Sequence, residues 1–207
     1  SQYMAKAGHR LTSLLTRAEI NTAISTLRAG SNRKAESSIR RMFGWDMLIP
    51  AEMKAGKTGR NFIWLSDNRP DRMRNICVYS YSGTTIDAHR ALAARDSVMR
   101  LNIPGELDGM YMQTTPGSVT AGLATEDGRT VMISRGLWEM RNDAMGGPFV
   151  SLSTVDSVNS RIIVAEAFVY APGTNKRNLI RSAEAALYTL GRHAANGSNS
   201  KGRRQTD

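Results

Sequence analysis

Arg161-Ile162-Ile163-Val164-Ala165-Glu166-Ala167-Phe168-Val169-Tyr170 is the stretch that decides the fold. Ten residues rich in β-branched and aromatic types read as a strand. Side chains alternate along a strand. Ile162, Val164, Glu166, Phe168 and Tyr170 therefore share one face, and Ile163, Ala165, Ala167 and Val169 share the other. Both faces are apolar, so the strand is expected to be central in its sheet, with Glu166 at least half buried. A buried carboxylate is costly unless it is paired or protonated. Arg135 on a neighbouring strand and Arg177 or Arg181 on the following helix are the candidate partners.

Working outward, four segments before this strand also read as strands: 110–115, 119–125, 129–140 and 149–156. The links Glu126-Asp127-Gly128 and 157–160 have hairpin chemistry. Further upstream, strands are expected over 45–49, 61–66 and 74–81, with a Lys/Gly-rich turn at 54–59. Thr84 or Thr85 can cap a helix running to about Leu101, with Ala88, Ala91, Leu92, Val98, Met99 and the stem of Arg95 on its apolar side. A last helix, 175–190, would bury Leu179, Ala183, Ala186, Leu187 and Leu190, and Gly191 would stop it.

Residues 5–29 read as helix with two stripes, one through Leu11, Leu14 and Ala18 and another through Ile20, Ile24 and Leu27. A second helix follows the Gly30-Ser31-Asn32 turn and ends near Phe43. Strands adjacent in sequence favour antiparallel pairing. The fold class is therefore α+β: a curved, mostly antiparallel sheet with helices packed on one face, preceded by N-terminal helices. The expected organisation is a helical segment 1–44, an α+β domain 45–190, and a disordered basic tail 191–207.

The formal charge of +10 is unevenly placed. Residues 1–41 carry +6 and residues 191–207 carry +3, which leaves the span 42–190 at only +1. Such charge favours anionic surfaces without choosing among them. No aromatic nucleic-acid-binding pattern lies in the basic region, so a nucleic-acid partner rests on charge alone and is not expected.

Chemistry is sparse. His9, His89 and His193 stand far apart, without metal-ligand spacing. Cys77 is the single cysteine and sits in an apolar strand, where it reads as a small buried hydrophobe. No serine-nucleophile elbow occurs, and Gly56-Lys57-Thr58 lacks the rest of a phosphate loop. No cofactor is implied. The segment from Trp138 to Phe149 is the main binding candidate. Trp138 ends a strand, Glu139, Arg141 and Asp143 bring mixed charge, and Met145-Gly146-Gly147-Pro148-Phe149 fixes an unusual backbone path beside apolar contact groups. In the alternative, Trp138 and Phe149 simply cap the core.

Several motifs occur in an order that resembles a known family. They are Leu48-Ile49-Pro50, Phe62-Ile63-Trp64-Leu65-Ser66, Asn75-Ile76-Cys77-Val78-Tyr79-Ser80-Tyr81, Asn102-Ile103-Pro104-Gly105, Tyr111-Met112-Gln113-Thr114 and Met145-Gly146-Gly147-Pro148-Phe149. Together they look like the C-terminal part of a domain-of-unknown-function family of envelope lipoproteins from Bacteroidetes. The resemblance runs from about Leu14 to Leu190. It implies a cell-envelope location, a lipid anchor on a segment absent from this chain, and no established activity.

The function expected from residues and resemblance together is non-enzymatic: interaction with an envelope protein, or scaffolding. The alternatives are a small-molecule or glycan-binding domain, or a hydrolase using paired carboxylates such as Glu139 and Glu166.

Overall fold

The computed structural model describes residues 17–193. Helix α1 covers residues 17–29 of that span. Then follow α2 (Arg33–Phe43), β1 (Trp45–Asp46), β2 (Ala55–Gly59), β3 (Phe62–Ser66), β4 (Met73–Ser82), α3 (Ala88–Asn102) and β5 (Met112–Thr114). The second half holds β6 (Thr120–Glu126), β7 (Arg129–Met140), β8 (Gly146–Asp156), β9 (Arg161–Tyr170), α4 (Arg177–Leu187) and β10 (Gly191–Arg192).

Eight strands form one antiparallel sheet in the order β2-β3-β4-β9-β8-β7, with β5 and β6 both pairing to the outer side of β7. The class is α+β. β9 is central, paired to β4 over its whole length and to β8 on the other side. Asp127 and Gly128 both take positive φ, the geometry of a two-residue hairpin turn between β6 and β7.

The alternation read from β9 divides the core in two. Ile163, Ala165 and Ala167 join Ile76, Val78, Val150 and Leu152 beneath α4 and α2. Ile162, Val164 and Phe168 join Phe62, Tyr79, Phe149 and Trp138, with Met99 and Ile103 from the α3 end. The helices are thus shared between the faces. This follows from a central strand that is apolar on both sides, because each face needs its own cover. Burying one such aliphatic side chain contributes roughly 1.5–3 kcal/mol.

Several local expectations are revised. The 54–59 turn is in fact edge strand β2, with Lys57 opposite Trp64. Expected strand 45–49 contracts to β1, which leaves the main sheet and pairs with β10 in a two-stranded ribbon. Gly191 and Arg192 therefore belong to the fold rather than to a tail, and residues 194–207 lie outside the described residues. The α3 cap is Asp87, whose side chain accepts from the Arg90 amide, and not Thr84 or Thr85. In α1 the stripe through Ile24 and Leu27 faces the core, while Ala18 is exposed. Residues 5–16 lie outside the described residues. Ile39 and Phe43 of α2 are buried in the α4-side core, so this helix is continuous with the domain.

Two ion-pair networks tie the ends of the sheet together. Asp156, with its side chain fully buried, accepts from Arg161 Nε at 2.9 Å, Asn159 Nδ2 at 2.7 Å and Arg192 Nη2 at 2.9 Å. Burial opposes its ionisation, but the hydrogen bonds from Asn159 and Arg161 and the charge of Arg161 prevail, so its pKa is lowered. Arg74 does the same work at the other end, bonding Asp67, Glu52 and Ser182.

Candidate functional site

Glu166 is fully buried, as its strand context requires. Its partner is Arg95 of α3, not any of the three arginines expected. Arg95 Nε lies 3.1 and 3.0 Å from the two carboxylate oxygens, and Nη2 lies 2.8 Å from Oε1. Nη1 donates to Thr114 Oγ1 at 2.8 Å and to Asp96 at 3.4 Å. The guanidinium also stacks on Phe149, 3.9 Å from the ring centroid. Its donors are committed to protein groups, as the burial of both charges demands. Burial pushes the Glu166 carboxyl up, and Arg95 pulls against it.

Strand parity explains why the expected partners fail. Glu166 faces α3, while α4 lies over the opposite face. There Arg135 pairs with Glu184, and Arg181 pairs with Glu19 of α1. Arg177 heads the same helix, α4. The same parity separates Glu139 from Glu166. Trp138 shares the Glu166 face, so its neighbour Glu139 points away, where Gln113 and Thr115 donate to it at 2.8 and 3.0 Å. Glu139 and Glu166 therefore do not form a carboxylate pair across one site.

The Trp138–Phe149 segment splits into two parts. Trp138 and Phe149 are buried, and the indole Nε1 donates to Val169 O at 3.2 Å. Gly146, Gly147 and Pro148 belong to β8 and pair with Glu139, Trp138 and Leu137. At Gly147 a Cβ would collide with the Val169 carbonyl oxygen, so the glycine is required by close strand packing beside the indole. Met145 packs half-buried against the α3-side core. Only Arg141, Asn142, Asp143 and Ala144 form an exposed loop tip.

One member of that tip makes a surface feature. Arg141 Nη1 donates to the Tyr111 hydroxyl at 2.6 Å, and the Tyr111 ring lies 4.5 Å from the Arg100 guanidinium and 5.5 Å from that of Arg141. Leu101, next to Arg100, is 79% exposed, and Leu107, on the segment between Arg100 and Tyr111, is 67% exposed. Sequence reading found Arg141 but not Tyr111, Arg100 or the two leucines.

A second feature lies between α3 and the sheet. Register aligns Glu166 with Ser151 on β8 and Ser151 with Ser134 on β7, all on one face. Ser153, two residues along β8, takes the next place. These serines form the floor of a cleft of about 300 Å³, whose other walls include Tyr79, Ala88, His89, Ala91, Leu92, Val119 and Phe149. Burial, with the Glu166 charge adding to it, raises the pKa of the Tyr79 phenol, so that group stays protonated.

A larger groove of about 930 Å³ runs beside α1. Arg17, Arg28, Arg33 and Arg40 there face Glu36, Asp46, Glu126 and Asp127. Arg33 and Arg40 are already paired, with Glu36 and Asp46. The basic excess of this region is therefore partly neutralised on the surface of the fold. Among the described residues, no three His, Cys, Asp or Glu side chains cluster so as to hold a metal ion.

An open antiparallel sheet with helices over both faces, a closed Arg–Glu pair and a serine-floored cleft define an α+β domain. The chain belongs to the family described as Domain of unknown function (DUF4837), which matches residues 32–189. No curated protein matches it.

Proposed function

We propose that this domain is a non-enzymatic module of the cell envelope that binds a protein partner. We also propose that a lipid anchor on a segment outside this chain tethers it to the membrane. The location rests on the motif order from Leu48 to Phe149 and its resemblance to envelope lipoproteins. The binding role rests on one observation, exposed Arg100 and Arg141 stacked on the half-buried Tyr111 ring in a molecule that also exposes Leu101 and Leu107. Tyr and Arg presented with apolar side chains are the groups that dominate protein interfaces. The stack also holds Tyr111 in place before any partner arrives, which lowers the ordering cost of association.

The test uses the full-length lipidated protein, cross-linked in envelope membranes and purified. Arg141→Ala combined with Leu107→Ala is expected to leave thermal unfolding unchanged and to remove the cross-linked partner. If the partner is retained at wild-type yield by the folded double variant, the interface is elsewhere. A second reading, small-molecule binding, is favoured by the cleft beneath α3.

A further inference from the structure

We infer that the cleft between α3 and the sheet is a binding site for an uncharged amphiphilic small molecule, one with a hydrocarbon body and a few hydroxyl or carbonyl oxygens. This site is separate from the Arg100–Tyr111–Arg141 surface, and neither depends on the other.

The floor of the cleft is unusual for its position. β8 and β7 lie inside the sheet, where inward positions normally carry large apolar side chains. Val150 and Leu152 do so on the α4 side. On the α3 side the corresponding places are Ser134, Ser151 and Ser153, which are 9%, 6% and 2% exposed. Small hydroxylated residues leave the space between helix and sheet unfilled. α3 adds to it by presenting Ala88 and Ala91 as wall residues.

The hydroxyls are also unspent. Among the described residues, the side chains of Ser134, Ser151 and Ser153 and the phenol of Tyr79 make no hydrogen bond. Hydroxyls that reach an open cleft bond water in the free protein, and a ligand oxygen can take the place of that water. Here the four hydroxyls open onto one cleft where water can reach them, and none of them is an enclosed atom without a partner. A ligand bearing oxygens along one edge would satisfy them together.

Charge and size restrict the ligand. Arg95, at the inner end, is held by Glu166, Thr114 and Asp96, so its charge is already neutralised at the depth where the serines lie, and His89 stands only at the exposed rim. Glu166, on the same row as Ser151 and Ser134, would repel an anion. A cation would meet the opposing Arg95. Apart from His89 at the solvent-exposed rim, the remaining lining, with Ala91, Leu92, Val119 and Phe149, is apolar. A volume of about 300 Å³ is the lower end of small-ligand pockets. It equals roughly ten water molecules, enough for a short acyl chain with a polar head.

The probe is 1-octanoylglycerol, titrated into the whole chain below its micellar concentration and followed by calorimetry and by backbone amide NMR shifts. Saturable binding is expected, with shifts on β7, β8 and α3. The double variant Ser151→Ala and Ser153→Ala should weaken it about fivefold or more, the scale of lost hydrogen bonds. Ala91→Phe, which fills the cavity from the helix side, should abolish it. Octanoate should bind at least about tenfold more weakly, because its carboxylate would be buried unpaired. Thermal unfolding of each variant checks that it is folded. Absence of saturable binding to the wild type overturns the proposal. So does binding that survives in a folded Ala91→Phe variant, or octanoate binding as tightly as the neutral ester.

Discussion

The two faces of the sheet are built on opposite principles. On the α4 face, Ala183 and Ala186 bring the helix close, and Leu187 locks against Val150, Leu152 and Ile163 in a continuous apolar layer. Its principal charge contact, Arg135 with Glu184, sits at the margin, where the Arg135 side chain remains 47% exposed. On the α3 face the helix stands off from the sheet. A charge pair with both side chains buried anchors it at its midpoint, and a serine-floored cleft separates its N-terminal half from the sheet. The lesson is that one central strand can serve a sealed face and an open one at once. The sealed face supplies stability, and the open face is free to carry recognition.

Removing the anchor should do the most damage. Arg95→Ala leaves Glu166 buried without its cation, and a loss of about 3–5 kcal/mol is expected in chemical denaturation. Arg95→Met with Glu166→Leu should recover most of it, since neither charge is then stranded. If the single and double variants lose the same amount, the pair is not what holds α3 to the sheet.

The same substitution placed on the two helices should separate the faces. Ala186→Leu overpacks the sealed layer and should cost about 1–3 kcal/mol. Ala91→Leu points into open space and should change stability by no more than about 0.5 kcal/mol. Equal losses in a paired denaturation series would mean that the cleft is as tightly packed as the opposite core.

The smallest effect concerns the sheet end shared by both layers. The Asp156 pKa is lowered in the folded state. Its contribution is therefore present above the unfolded carboxylate value of about 3.9 and fades as pH falls through the depressed one. Thermal melts from about pH 6 down to pH 2 should show Asp156→Asn starting lower than wild type, with a shallower acid decline. Parallel declines would assign the acid sensitivity to other carboxylates.

What was legible in the sequence follows the same division. Alternation along Arg161–Tyr170 was enough to place β9 at the centre and bury Glu166, because that argument is local to one strand. The partner was not legible. Choosing between α3 and α4 requires knowing which helix covers which face, and periodicity carries no such information. Arg95 was read as contributing only its aliphatic stem, yet its guanidinium is buried. β2 was missed because an edge strand pairs on one side only, and such a position tolerates Gly56, Lys57 and Gly59. In the loop candidate, Gly146-Gly147 signalled a constrained backbone correctly, but the constraint is the Val169 carbonyl packed beside the Trp138 indole. Ser151 and Ser153 alternate with apolar residues, and the sequence analysis did not single them out. Their position between two paired strands was the available clue that they are enclosed.

The strand order carries a consequence for how the chain reaches this structure. β2-β3-β4 and β7-β8-β9 are each a run of sequence neighbours, and the single seam between them is the β4–β9 ladder, ten residue pairs from Met73–Tyr170 to Ser82–Arg161. Contacts within each run close short loops, whereas the seam closes one that contains α3, β5, β6, β7 and β8. Loop-closure entropy makes such a joint late. Folding is thus set up as two half-sheets that form independently and then zip along one line. The Arg95–Glu166 pair, which links the intervening helix to the seam strand, becomes a latch that closes only when both halves have met.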